Sequence, residues 1–210
     1  MLEFKDSETS CLHFSSATIL YNNKGLTELD ESTWIDLENF QRNKIATSSS
    51  YLVSKTLTEK VALEFAQKNG LEVVSLVLSL VVGPFICPKV PSSVSDALPM
   101  IGDERQYENN SNFWLVHIDD VTRALIYLLH YPDAEGRYIC SSTHITVSQF
   151  HEFLHARYPE FQIIMPIGLK ETKRVTISSK KLLETGFKYK YGLNEMFDGA
   201  IQSCRDKGFL

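Results

Sequence analysis

Four cysteines, Cys11, Cys87, Cys140 and Cys204, stand far apart and form no C-x-x-C pair. That spacing supplies neither a zinc knuckle nor a disulfide framework, and scattered single thiols fit a reducing compartment. Any run of lysine and arginine is also missing. With a net charge of −5 and a pI near 5.7, the chain offers no electrostatic surface for nucleic acid or an anionic membrane. The longest apolar stretch, Val73 to Val82, is far shorter than the ~20 residues a membrane span needs. The opening MLEFKDSETS is polar and mixed in charge, unlike a secretory leader. What is present is ordinary. At 210 residues, 43% hydrophobic and 22% charged, with mean hydropathy −0.13, the composition is that of a soluble globular protein of one large or two small domains. The expected location is the cytoplasm.

Along the chain, CLHFSSATIL (Cys11 to Leu20) reads as a short buried strand entering a small-residue turn, and NNKGLTELDESTW as an acidic surface loop. From Ser50 the pattern becomes helical. Leu52, Leu57, Val61, Leu63 and Phe65, with Ala62 and Ala66 among them, recur until Asn69-Gly70 stops the helix. LEVVSLVLSLVVG follows, apolar nearly throughout, the mark of one strand covered on both faces in a parallel sheet. Strand, helix and buried strand in this order make a βαβ unit. Beyond Gly83-Pro84 a proline-rich stretch reads as loops with one short helix. Order returns with a strand and helix at FWLVHIDDVTRALIYLLH, a strand at GRYICSS, a helix at TVSQFHEFLHARYPE and a last helix near Leu193 to Lys207.

Chemistry gathers at SSSYLVSKTLTEK (Ser48 to Lys60), where Tyr51 and Lys55 are four residues apart. On a helix they share a face, with Cβ atoms about 5–6 Å apart. A free phenol titrates near ~10, and a neighbouring ammonium favours its phenolate, which is the tuning that general acid–base catalysis uses. Alone the motif is weak, because most such pairs are a half-exposed tyrosine beside a solvated lysine. Context strengthens it. HFSSA places Ser15 and Ser16 at the end of the preceding strand, and LVVGPF ends the following one at Gly83. The carboxyl ends of parallel strands are where ligand sites form.

These segments, together with YLVSKTLTEK, LVVGPFICPKVPSSVSDAL, VHIDDVTRALIYLL, GRYICSS and the ending GFKYKYGLNEMFDGAIQSCRDKGFL, resemble the plant dihydroflavonol reductase, vestitone reductase and anthocyanidin reductase group of the extended short-chain dehydrogenase/reductases. The resemblance runs from about Cys11 to Leu210. It implies an α/β fold: the C-terminal part of a Rossmann-type doubly wound parallel sheet with a smaller mixed α/β substrate lobe. Residues 1–83 then hold the remaining half of the dinucleotide-binding sheet. Residues 84–210 hold the substrate lobe, interleaved with returning Rossmann elements at 117–142. The implied function is NADP-dependent reduction of a carbonyl on a flavonoid-like or other plant phenolic molecule. By the same resemblance Ser16 polarises the substrate carbonyl, Tyr51 donates the proton, and Lys55 tunes the tyrosine and holds the ribose hydroxyls. Ser79, Leu80, Val81 and Gly83 line the nicotinamide end of the cofactor.

Departures from the family bear on each of these roles. Where relatives carry an asparagine past the serine and a glutamine before VH-x-DD, this chain has Tyr21 and Trp114. The substrate-binding assignment therefore passes to aromatics and suggests a different or more apolar ligand. No G-x-x-G-x-x-G fingerprint, which in relatives receives the pyrophosphate at a helix N-terminus, occurs in the 210 residues. The reading is of a family member lacking its N-terminal nucleotide-binding third. The alternative is a catalytically inactive fragment or an interaction-only paralogue, self-associating through an exposed sheet edge. Two further groupings favour structural roles. Asp119 and Asp120 beside His117 suit a helix start better than a metal. His151 and His155 lack both the H-E-x-x-H frame and a third ligand, so no metal site is expected. With the pyrophosphate grip missing, calorimetry on this chain is expected to show no saturable NADPH binding; a micromolar isotherm would overturn that.

Overall fold

The computed structural model describes residues 10–16, 27–35, 37, 49–98, 112–161, 163 and 175–210. The chain divides into two compact units, each assembled from three stretches: Met1–Ser79, Val121–Cys140 and Val175–Tyr189 in the first, Leu80–Asp120, Ser141–Arg174 and Lys190–Leu210 in the second.

The first unit is built on three parallel strands, β1 (Ser10–Ser16), β3 (Glu72–Leu78) and β6 (Gly136–Cys140), with β3 in the middle. Pairing runs from Ser10 opposite Glu72 to Ser16 opposite Leu78, and from Val74 opposite Gly136 to Leu78 opposite Cys140. The carboxyl ends of all three strands are therefore level. Val74, Ser75, Leu76 and Val77 are all buried, as a central strand covered on both faces requires. A short parallel pair, β2 (Glu28–Leu29) with β8 (Thr176–Ile177), contributes Leu29 to a cluster with Val77 and Ile139.

Helix α1 (Ser49–Asn69) lies between β2 and β3 in the chain and packs on β1 and β3. It stops at Gly70, whose φ of 67° places it in the left-handed region, while the Leu71 N–H reaches back to the Ala66 carbonyl at 3.0 Å. This is the Schellman closure that glycine favours. The inward face differs from the one its apolar residues suggest. Leu52 and Ala66 are buried, but so are Thr56 and Glu59, whereas Leu57, Val61 and Phe65 are exposed. The inner stripe is set by polar partners on the strands, so periodicity of apolar residues alone selects the wrong side.

The second unit has the sheet β4 (Leu80–Val82), β5 (Asn112–His117) and β7 (Thr143–Thr146). β4 and β5 are parallel, and β5 and β7 are antiparallel. The apolar run from Leu71 to Gly83 is thus two strands and not one. After Leu78 the Ser79 N–H donates to the Cys140 carbonyl at 3.2 Å, and the chain then joins a different sheet. A short helix, α2 (Ser92–Ala97), follows the proline-rich loop. Helix α3 (Ile118–His130), most of which belongs to the first unit, buries Val121, Ala124 and Leu128 on one stripe. Helix α4 (Val147–Arg157) is started by a capping box between Thr146 and Gln149, and the five-residue α5 (Lys180–Glu184) precedes α6 (Leu193–Asp206). Phe150 and Leu154 of α4 meet Met196, Phe197, Ala200 and Ile201 of α6 in the second unit's core. Arg157 and Tyr158 both donate to Asp198, and the guanidinium, with the phenol, holds that carboxyl below its usual range. No helix among the described residues is long and apolar enough to cross a membrane.

Phe150 is fully buried, with ring centroids of Phe113 and Phe197 at 5.1 and 5.0 Å. Phe150→Ala is expected to cost about 3–5 kcal/mol, read from the urea midpoint at unchanged slope; a loss below about 1 kcal/mol would show that this aromatic cluster does not hold the unit together.

Candidate active site

The direction of α1 follows from its ends. Asn69 lies close before the start of β3 at Glu72, and the helix packs on both β1 and β3, so it runs antiparallel to them. From Asn69 back to Tyr51 the helix rises ~27 Å, against ~20 Å for β3 from Glu72 to Leu78. Lys55 therefore comes level with the carboxyl ends of the strands and Tyr51 lies about one turn beyond. Ser16, the last residue of β1, sits at the same edge opposite Leu78.

Tyr51 is 53% exposed. The Lys55 ammonium stands 5.9 Å from the centre of its ring, within reach of a cation–π contact. Among the described residues neither the Tyr51 hydroxyl nor the Lys55 ammonium has a hydrogen-bond or ion-pair partner. The Ser54 hydroxyl donates to the Tyr51 carbonyl at 2.9 Å, which satisfies a backbone acceptor and leaves the phenol out of that interaction. An open phenol and an open ammonium one turn apart can exchange a proton with a bound molecule and grip its hydroxyls. Ser79 is buried, and its hydroxyl donates to Cys140 O at 3.4 Å, the acceptor its own N–H uses.

The remaining sequence-selected residues belong to the second unit or lie outside the described residues, as Tyr21 does. Leu80 and Val81 are half-buried on β4. Gly83 is buried at φ 150°, and a Cβ there would stand 2.7 Å from Ile118 Cγ2 and 3.2 Å from His117 Nε2. Its lack of a side chain makes room for protein. Trp114, on β5, tilts against His144 across the antiparallel pair with centroids 5.2 Å apart. Its indole nitrogen is buried without a hydrogen-bond partner among the described residues.

The histidine and aspartates of VHIDD have structural partners. His117 Nδ1 accepts the Asp119 N–H at 3.0 Å and the ring stacks on Tyr191 at 4.2 Å. The buried Asp120 carboxylate accepts the backbone N–H groups of Lys190 and Tyr191, each at 3.0 Å. No group of three or more His, Cys, Asp or Glu residues suited to a metal occurs among the described residues.

One cluster lies outside the motifs that the sequence displays. Glu59, one turn beyond Lys55, is 1% exposed and bound to Arg137 of β6 and Ser75 of β3. The available signal was a pair of polar residues, Ser75 and Arg137, inside otherwise apolar strands, since a buried charge demands a partner.

Known proteins resemble this chain in sequence and fold. The model of the NAD dependent epimerase/dehydratase family matches residues 8–140. The chain belongs to that family. Its relatives place it in the extended short-chain dehydrogenase/reductase group. It is 50% identical over 187 residues to the protein BRI1-5 ENHANCED 1 of Arabidopsis thaliana, covering 87% of this chain and 51% of that one. With vestitone reductase of Medicago sativa it shares 41% over 199 residues, covering 93% and 61%. The crystal structure of the alfalfa vestitone reductase superposes with a TM-score of 0.88 over 96% of this chain and 66% of that chain. The dihydroflavonol 4-reductase of Callistephus chinensis is 43% identical over 199 residues, 93% of this chain and 54% of the relative. The chain thus spans roughly half to two thirds of the length of these proteins. Its fold is the Rossmann-type α/β fold of that group.

Gly83→Ala is expected to destabilise the protein by about 1–3 kcal/mol through backbone strain and the collision with Ile118, seen as a lowered melting temperature; a variant as stable as the parent would return Gly83 to the residues that admit a ligand.

Proposed function

We propose that this chain carries the proton-transfer half of an NADP-dependent reductase acting on a carbonyl of a small phenolic molecule. The observation that carries the reading is the Tyr51–Lys55 pair on the exposed first turns of α1 at the level strand ends, two polar groups without hydrogen-bond partners among the described residues. Tyr51 donates the proton to the developing alkoxide oxygen. Lys55 places a positive charge beside the phenol and offers three N–H donors to ribose hydroxyls. Ser16, at the end of β1, orients the carbonyl from the strand side. A nicotinamide nucleotide, when bound, supplies the hydride.

The donor set fits the ribose end of such a nucleotide: the ammonium and the phenolic hydroxyl are both open to bond it. Nothing in the 210 residues supplies the glycine-rich turn for its pyrophosphate, so the grip that these residues provide is a weak one. The phenolic substrate class rests on the relatives named vestitone reductase and dihydroflavonol 4-reductase. The experiment is carbonyl-dependent oxidation of NADPH by the 210-residue chain, with vestitone and a dihydroflavonol as probes. The expected rate rises without saturation into high NADPH concentrations and falls about a hundredfold or more in Tyr51→Phe, the usual worth of a positioned acid. No carbonyl-dependent oxidation, or equal rates in parent and variant, would sink the reading.

A further inference from the structure

We propose that Glu59 is a positioning residue, and that its bonds to Arg137 and Ser75 fix the axial and rotational setting of α1 and so the place of Tyr51 and Lys55. The inference rests on the reductase reading for what Tyr51 does, but not for where Tyr51 stands.

Glu59 Oε1 accepts from Ser75 Oγ of β3 at 2.5 Å and from Arg137 Nε of β6 at 2.9 Å, and Oε2 faces Arg137 Nη2 at 3.4 Å. The guanidinium is in turn fully engaged. Its Nη1 donates to the carbonyls of Glu31 and Thr33 at 2.5 and 2.8 Å. Its central carbon lies 3.8 Å from the centre of the Trp34 ring. The Glu31 carboxylate closes the loop on β6 by accepting the Ile139 N–H at 3.0 Å. Donors from two strands meet on one carboxylate, so α1 can neither slide nor roll without breaking a charge-assisted bond in a buried site.

The apolar contacts of α1 are poorly suited to that task. Its inner stripe offers Leu52 and Ala66 to the core, with Thr56 and Glu59 between them, and apolar contacts are non-directional. Buried ion pairs contribute little net stability, and their best-attested use is to select one register. Glu59 is four residues from Lys55 and eight from Tyr51, about 6 and 12 Å along a stiff helix. A roll of ~20° about α1 displaces atoms at the helix surface, ~5–6 Å from the axis, by about 2 Å. A misplacement of about 1 Å at a reacting group can cost a hundredfold in rate. The lever is short and the penalty large.

The test separates setting from stability. The double variant Glu59→Leu/Arg137→Met replaces the ion pair by apolar residues of similar size, a change that buried pairs commonly tolerate. Ser75→Ala removes one strut and leaves the pair intact. Both are made in a chain with fluorotyrosine at position 51, and three quantities are read: the melting temperature, the fluorine resonance of residue 51, and the apparent kcat with carbonyl KM for NADPH oxidation at one fixed NADPH concentration. The expected result is a double variant that melts within a few degrees of the parent. Its residue-51 resonance is broadened or split, and its apparent kcat at that NADPH concentration falls about tenfold or more at unchanged carbonyl KM. Ser75→Ala moves the resonance in the same direction to a smaller extent. If the double variant does not fold, Ser75→Ala decides by its resonance. If the parent chain oxidises no NADPH, the reductase reading fails while the fluorine spectra still decide the positioning. Resonances unmoved in every variant that folds, or a kcat loss that merely follows the melting temperature, would overturn it.

Discussion

A carboxylate with 1% of its surface exposed must find positive charge, and in this chain that requirement ties a helix to two strands and a loop. Glu59 belongs to α1, Ser75 to β3, Arg137 to β6, and the carbonyls of Glu31 and Thr33 to the segment after β2. Each is useful only because the others are there. The guanidinium needs the carbonyls and the Trp34 face to complete its shell, and the loop needs the guanidinium to hold its backbone against the sheet. The polar inner face of α1 follows from the same demand. Thr56 and Glu59 occupy inward positions that a purely apolar stripe would have filled with Leu57 and Val61, and those two face outward.

Once α1 is fixed, the parallel sheet decides where its first turns stand. The register levels Ser16, Leu78 and Cys140 at one edge. The short connection from Asn69 to β3 forces the helix to return antiparallel, so its first turns project at that edge. Side chains at the opposite end of α1 would meet the amino ends of the strands, where no residue of the proposed reaction lies. The tyrosine and lysine are thus placed by topology to within a turn and by the Glu59 network to a finer degree.

Much of this was legible from residue order, and the failures have a common cause. The extent of α1 could be read because Gly70 marks its end through a left-handed conformation that glycine adopts without strain. The Tyr51–Lys55 pair could be read because i and i+4 on a helix are neighbours by local geometry. The break between β3 and β4 could not, because leucine and valine stand on both sides of Ser79 and the partner strands that separate them are distant in sequence. The crowding at Gly83 could not be read either, because the side chain that a Cβ there would meet belongs to Ile118, again a residue remote along the chain. The Glu59–Arg137 pair spans 78 positions. Two polar residues in apolar strands announced that a partner was needed without saying which. Local rules carried what is local; the pairing of charges across the sheet required the fold itself.

The contrast between Arg137 and Lys55, two of the cations of the first unit, gives the functional reading its physical content. Arg137 is 7% exposed, and its guanidinium meets a carboxylate, two carbonyls and an aromatic face. Such a group is complete within the protein, and a ligand could approach it only by displacing bonds already made. Lys55, four residues from the carboxylate that satisfies Arg137, has the Tyr51 ring beside it and no carboxylate among the described residues. The chain contains acidic residues enough to neutralise a lysine at this place, 26 against 21 basic ones, yet the carboxylate nearest in the helix repeat is directed inward to the strands. An ammonium left with an aromatic neighbour and open donors retains its capacity for hydroxyls brought from outside. The same helix thus uses one charge to settle its own position and leaves another open at the edge where the strands end, the division of roles on which the proposed reaction rests.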